Sequence, residues 1–257
     1  MKIAASDYDG TLFRNDEISA IDADGVNQWR AAGNKFGVVS GRDYGMLMPQ
    51  LKHYGIASDY VICNNGGLIC KVDGTALWQG NIPVEILAEI ASEPCVQTSF
   101  HFAFSAADTT YLCHESEGSW IMREARQWDF QIKKITEKEI LNLPQIHQFS
   151  LGYITAEESF SASEILNEKY GETIHAYPNR CSLDITPSAV SKRQGIEKLL
   201  DLMNWKGAEV FAIGDEINDL PMLKAFNGFT VDTARKEIQR QVKNIFSGVG
   251  EMLIKNI

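Results

Sequence analysis

"SDYDGTLF", residues 6–13, sets two carboxylates, Asp7 and Asp9, two positions apart at the end of the apolar run "KIAAS", with Gly10 and Thr11 directly behind them. A short apolar run of this kind reads as a buried strand. In open parallel sheets ligands bind at the carboxyl ends of the strands. On an extended chain residues i and i+2 point the same way, so both acids address one site; a turn capped by the Asp-Gly pair is the competing account. The stretch "EVFAIGDEIND", residues 209–219, repeats the architecture: an apolar run, Gly214, then Asp215, Glu216 and Asp219. Two acidic clusters at two strand ends repel each other unless a divalent cation lies between them. Mg²⁺ suits such a site because it takes oxygen ligands and leaves positions for water or phosphate oxygens.

Working outward, "SAIDADGVNQWRAAGN" carries Ile21, Val26, Trp29 and Ala32 at helical spacing, with Ser19 as N-cap and Gly33 as stop, and "KFGVVSG" at 35–41 follows as a strand. A helix over 43–54 and a strand over 60–63 continue this β-α rhythm into the turn "NNGG", after which a hairpin closes at Asp73-Gly74. Residues 81–185 are less regular. A helix after Pro83, strands near 98–105, 109–113, 147–154, 173–177 and 181–185, and helices over 117–127 and 157–169 form a separate α/β layer. From 192 the rhythm returns with a helix to about 203, a strand at 209–214, a helix at 219–225 and a strand at 228–231. A parallel sheet that is left for about 100 residues and then resumed implies an inserted domain.

The chain has 257 residues, 44% of them hydrophobic, and 34 acidic against 24 basic side chains, for a net charge of −10. So acidic a surface, without any Lys/Arg run, argues against nucleic-acid or anionic-membrane partners. An anionic ligand would then need locally supplied positive charge. The five cysteines, Cys63, Cys70, Cys95, Cys113 and Cys181, show neither CxxC nor zinc spacing and read as reduced thiols. With no signal-peptide pattern and no 18-residue apolar run, the expected location is the cytoplasm.

Two further strand ends carry groups suited to phosphate. "VVSGR" presents Ser40 and the amides around Gly41, and "SKRQGIEKLL" places Lys192 near a helix start. The ordered set Asp7-Tyr8-Asp9-Gly10-Thr11-Leu12, Ser40-Gly41-Arg42, Lys192 and Gly214-Asp215-Glu216-Ile217-Asn218-Asp219 resembles the haloacid dehalogenase-like hydrolase superfamily, and within it the Cof-type phosphatases. The resemblance implies an α/β fold with a Rossmann-like parallel-sheet core over 1–80 and 186–257, and an inserted α/β cap over 81–185 that sets substrate specificity.

The resemblance also implies a mechanism. Asp7 attacks phosphorus and becomes an aspartyl phosphate, while Asp9 protonates the leaving alcohol and then takes a proton from water. Mg²⁺ is held by Asp7, the Asp9 carbonyl and Asp215, with Asn218 and Asp219 orienting Lys192 or supporting the metal. Thr11, Ser40, Gly41, Arg42, Asn65 and Arg180 are the candidate phosphate and substrate contacts, Gly10 and Thr11 through their N–H groups. A like charge two residues away would raise one of the two carboxyl pKa values, separating nucleophile from acid.

Two features depart from the pattern. "TVDTARKEI" at 230–238 replaces the usual Gly/Ala-Asn turn, and Glu216 adds an acid that is either a third metal ligand or, as preferred, merely solvated. In the cap, His101, His114, Arg123, Arg126 and Arg180 are candidates to meet a leaving group, whereas Trp120 and Trp128 read as packing residues. The expected activity is Mg²⁺-dependent hydrolysis of small phosphomonoesters such as sugar phosphates, by a monomer or homodimer. A sugar phosphomutase or phosphotransferase, and a non-catalytic regulatory protein on the same fold, are the competing readings.

Overall fold

The structure, a computed structural model, describes residues 1–115, 120–242 and 244–257. The chain forms two compact units, one of residues 1–40, 50–78 and 191–257, the other of residues 41–49 and 79–190.

In chain order the first unit opens with β1 (Lys2–Ser6), α1 (Ala20–Ala31) and β2 (Lys35–Val39). The helix begins where expected: the Ser19 hydroxyl accepts from the Asp22 N–H, and Gly33 turns the chain out of it at φ +83°. Next come α2 (Tyr44–His53), β3 (Tyr60–Cys63) and the hairpin of β4 (Leu68–Cys70) and β5 (Ala76–Gln79). Residues 41–49 group with the second unit although α2 runs on from Tyr44 to His53. The cause is polar as well as apolar. The Asp43 carboxylate accepts from the Thr110 hydroxyl at 2.7 Å, the Gly41 carbonyl accepts from Gln148, and Met46 joins an apolar cluster with Ala103, Leu112, Ile121 and Phe130.

The second unit continues with α3 (Val84–Ala91), α4 (Pro94–Gln97), β6 (His101–Ser105), β7 (Thr109–Glu115), α5 (Trp120–Trp128), β8 (Gln131–Lys134), β9 (Gln148–Gly152), α6 (Ala156–Tyr170), β10 (Ile174–Asn179) and β11 (Ser182–Pro187). The first three positions of the expected helix over 117–127 lie outside the described residues. The strands form one six-stranded sheet in the order β10-β11-β9-β6-β7-β8. Alternation divides its faces: Phe102, Phe104, Phe149, Leu151, Leu183 and Ile185 pack with α3 and α6, while Ala103 and Leu112 pack under α5. Each fully buried Phe, Leu or Ile of this kind contributes about 1.5–3 kcal/mol.

The chain returns to the first unit through α7 (Lys192–Leu202), β12 (Glu209–Ile213), α8 (Leu220–Ala225), β13 (Asn227–Val231), α9 (Lys236–Gln241), β14 (Asn244–Phe246) and α10 (Val249–Lys255). Its sheet has the order β14-β13-β12-β1-β2-β3-β4-β5, parallel from β14 to β3. β1 is therefore central, buried on both faces, with Ile3, Ala4 and Ala5 fully inaccessible. α4, β8, α9, β14 and α10 were not expected. β8 and β14 are edge strands of four and three residues, half or more of them exposed, so neither leaves an apolar run to read.

Candidate active site

From β1 the chain winds outward through β2 and β3 on one side, and through β12, β13 and β14 on the other. The carboxyl ends of β1 and β12 therefore flank the point where strand order reverses, which opens a crevice in sheets of this type. The register puts Ser6 opposite Ile213, and the Asp7 N–H donates to the Ile213 carbonyl at 2.9 Å. Asp7 and the loop after Gly214 thus emerge side by side.

Lys192 begins α7, whose N-cap Ser191 accepts from the Gln194 N–H. Its ammonium donates to Asp7 Oδ1 at 2.5 Å and to Asp219 Oδ1 at 2.6 Å, and all three side chains are nearly inaccessible. Asp219 Oδ2 accepts from the N–H groups of Asp215 and Glu216 at 3.0 and 3.1 Å, which draws the loop into a tight 3₁₀ turn. Asp215 Oδ1 accepts from the Thr11 hydroxyl at 2.8 Å. Residue 10 has φ +86°, and a Cβ there would stand 2.4 Å from Asp215 Oδ2, so both the turn and the close approach require glycine. Carboxylate oxygens of Asp7, Asp215 and Asp219 all lie within 4.8 Å of one another.

Burial sets the electrostatics. It pushes the Asp7 pKa well up, reinforced by the negative charges of Asp219 and Asp215 and opposed by Lys192. It likewise pushes Asp215 up to about 6, with Asp219 adding to the effect and the Thr11 hydrogen bond working against it. Burial works to lower the Lys192 pKa, but the adjoining Asp219 and Asp7 outweigh it and hold the lysine firmly as an ammonium.

Several expectations need correction. The premise that Asp7 and Asp9 share one face of an extended chain fails, because β1 ends at Ser6 and the chain turns; Asp7 is buried and Asp9 exposed. The largest charges acting on Asp7 are those of Asp219, Lys192 and Asp215, residues distant in sequence. Gly10 and Thr11 do not offer N–H groups to a phosphate, since these bond back to the carbonyls of Phe13 and Tyr8 at 2.9 and 3.3 Å. The Thr11 hydroxyl orients Asp215 instead. Glu216 is not solvated: it is 6% exposed and its carboxylate pairs with Arg235 at 2.9 Å. Asn218 donates to the Asn65 side-chain oxygen at 3.2 Å, while the ammonium of Lys192 is held by Asp7 and Asp219.

Other candidates divide between the units. Ser40 and Asn65 lie in the first, buried, with the Asn65 N–H donating to the Ser40 carbonyl at 2.9 Å. Gly41, Arg42 and Arg180 belong to the second, where Arg42 pairs with Glu124 at 2.7 Å and Arg180 takes φ +53° between β10 and β11. Also in that unit, His101 is buried beside Phe100 and Trp120, and His114 stacks on Phe102. Trp120 and Trp128 pack against the apolar cluster under α5, as expected. Arg126 reaches back to the Met122 carbonyl.

Sequence reasoning missed Asn64 and Arg235. Asn64 is fully buried at φ +52°, followed by Asn65 in the same left-handed region, and no described group meets its carboxamide. Two successive non-glycine residues in that region store strain. The signal available was "NNGG" itself, since asparagine is the non-glycine residue that tolerates this conformation.

Residues 4–250 match the haloacid dehalogenase-like hydrolase family. The HMP-PP phosphatase of Yersinia pseudotuberculosis is 24% identical over 246 residues, covering 95% of this chain and 88% of the relative. A haloacid dehalogenase-like hydrolase from B. subtilis superposes with a TM-score of 0.85 over the full length of both chains at 19% identity. A subclass IIB sugar phosphatase of the same superfamily does so with a TM-score of 0.77 over 100% of this chain and 97% of its own, at 21% identity. The match to the family thus spans both strand ends that carry the acids and the whole segment between them, and the chain belongs to the haloacid dehalogenase-like hydrolases.

Proposed function

We propose that this hydrolase is a phosphatase of small phosphorylated metabolites, with Asp7 as nucleophile. The observation that carries the reading is the buried set Asp7, Lys192, Asp219 and Asp215 at the carboxyl ends of β1 and β12. Packing three carboxylates around one ammonium is costly unless further positive charge arrives. The donor chemistry fits a divalent cation such as Mg²⁺: the oxygens are hard, buried and close together. Asp219 is already engaged through both oxygens, so Asp7 and Asp215, with the Asp9 carbonyl, are the proposed ligands. When bound, the cation supplies charge neutralisation for the transferring phosphoryl group.

The side chains then divide the work. An Asp7 carboxylate oxygen forms the new bond to phosphorus as the ester P–O bond breaks, giving an aspartyl phosphate and an alkoxide that takes a proton from Asp9. Water, giving its proton to Asp9, attacks the same phosphorus; inorganic phosphate leaves and the Asp7 carboxylate is restored. Lys192 holds Asp7 in place and offsets the charge that gathers on the phosphoryl oxygens. Thr11 and Asp219 keep Asp215 and its loop in position. Exposure of Asp9 suits a group that must exchange its proton with substrate and water. The second unit is proposed to serve as the cap that chooses the leaving group, and the cytoplasm as the place of action.

Hydrolysis of p-nitrophenyl phosphate with and without Mg²⁺ tests the reading. Activity that needs the metal and is lost in Asp7→Asn is expected; equal activity in the variant, or none in the wild type, contradicts it. A panel holding HMP-PP, the substrate named for the Yersinia relatives, together with sugar phosphates, then addresses the leaving group. Transfer of the phosphoryl group to a second sugar instead of its release would favour the mutase.

A further inference from the structure

The two places where the chain departs from its family pattern, Glu216 and the 230–238 loop, meet each other. Glu216 Oε1 lies 2.9 Å from the Arg235 Nε, with the glutamate side chain 8% and the arginine 41% exposed. Both partners are fixed by other bonds. The Glu216 N–H is held by Asp219 and its second oxygen accepts from the Ile217 N–H. The Arg235 carbonyl accepts from the N–H groups of Ile238 and Gln239 in the first turn of α9, and the Gln239 side chain donates to the carbonyls of Asp232 and Ala234.

We infer that Glu216 and Arg235 form a charge-balancing clamp that sets the affinity of the neighbouring acidic site for its divalent cation, Glu216 acting as a positioning residue and not as a ligand. The inference rests on the metal reading of Asp7 and Asp215. Glu216 adjoins Asp215 directly in the chain, so an unpaired charge on it would act on a cation there at short range. The Glu216 side chain is only 8% exposed, so its charge is screened less than one on the surface. Asp7, Asp215 and Asp219 cluster around Lys192, while the Glu216 charge, which bears on Asp215, is offset by Arg235 among the described residues. Arg235 also ties the loop after β13 to the loop after β12, so the extra acid and the unusual loop compensate each other.

Calorimetric titration with Mg²⁺ alone, without substrate, provides the test. Arg235→Gln removes the positive charge beside Glu216 and should tighten Mg²⁺ binding, Glu216→Gln removes the negative charge beside Arg235 and should weaken it, each by roughly three- to tenfold. The double variant should return to the wild-type affinity, and Arg235→Lys, which keeps the charge, should stay near it. A merely structural brace would instead weaken binding in both single variants. That result, or no change in either, overturns the clamp. Asp215→Asn separates the two readings: if it binds Mg²⁺ as the wild type does, the metal site itself is misassigned; if it loses binding while the opposite shifts are absent, only the clamp fails.

Discussion

Both units bury ionisable side chains, but they resolve the cost differently. In the first unit Asp7, Asp219 and Lys192 are buried together and satisfy one another, so the lysine stays charged at the expense of holding several charges away from water. In the second unit burial moves Asp43 and His101 toward their neutral forms, as it does Asp215 in the first. Burial pushes Asp43 up to about 6 against its hydrogen bonds from Thr110 and Met46, and pushes His101 down to about 4, with His114 acting in the same sense and Glu115 against it. Neutralisation is the inexpensive solution for a group that serves packing or helix capping. Retained charge at a strand end marks a group that has chemistry to do.

The sharpest way to break this comparison is Lys192→Met. It leaves Asp7 and Asp219 buried without their counter-ion, and loss of one partner from such a set costs about 3–5 kcal/mol. Urea unfolding should report that loss, with part of it recovered on adding Mg²⁺. An unchanged midpoint would mean that the cluster is as indifferent as a surface pair.

Asp43→Asn is the second test, with a smaller effect of opposite character. The folded pKa of Asp43, about 6, lies above its ordinary value of 3.8, so the native state takes up a proton more readily than the unfolded one. Its contribution is therefore complete below about pH 4 and is lost as pH rises through about 6, a difference of about 3 kcal/mol. The carboxamide of the variant can still accept from the Met46 N–H and can donate to the Thr110 hydroxyl oxygen, and it does not titrate. The wild type should lose stability between pH 4 and 7 relative to the variant, and parallel pH profiles would show that the carboxyl is not confined as described.

These contrasts also explain what a reader of the sequence can and cannot find. β1 and β12 announce themselves because each is a short apolar run ending in acids, and parallel-sheet logic brings such ends together. The break in rhythm near residue 80 is equally plain. The partners of Asp7 are not legible in detail: Lys192 lies 185 positions away, and only the sheet order brings α7 beside β1 and β12. Thr11 reads as a phosphate donor because spacing alone cannot reveal that a turn consumes its N–H and that Asp215 consumes its hydroxyl. Glu216 reads as solvated because its partner sits in a loop with no pattern of its own. Local periodicity reports elements and strand ends, while the satisfaction of a buried charge is a property of the assembled fold.

The central claim is that the buried Asp7 carboxylate becomes phosphorylated. Asp9→Ala removes the proposed base for the second displacement while keeping the backbone carbonyl, and with p-nitrophenyl phosphate, whose leaving group needs no proton from Asp9, it should let the intermediate accumulate. Acid-quenching that variant during turnover with Mg²⁺ and substrate, then weighing the peptide that contains Asp7, gives the direct answer. The account predicts the added mass of one phosphoryl group on that peptide, absent when Asp7 is also changed to Asn. Turnover in the wild type with no adduct on Asp7, together with undiminished activity of Asp7→Asn, would contradict it.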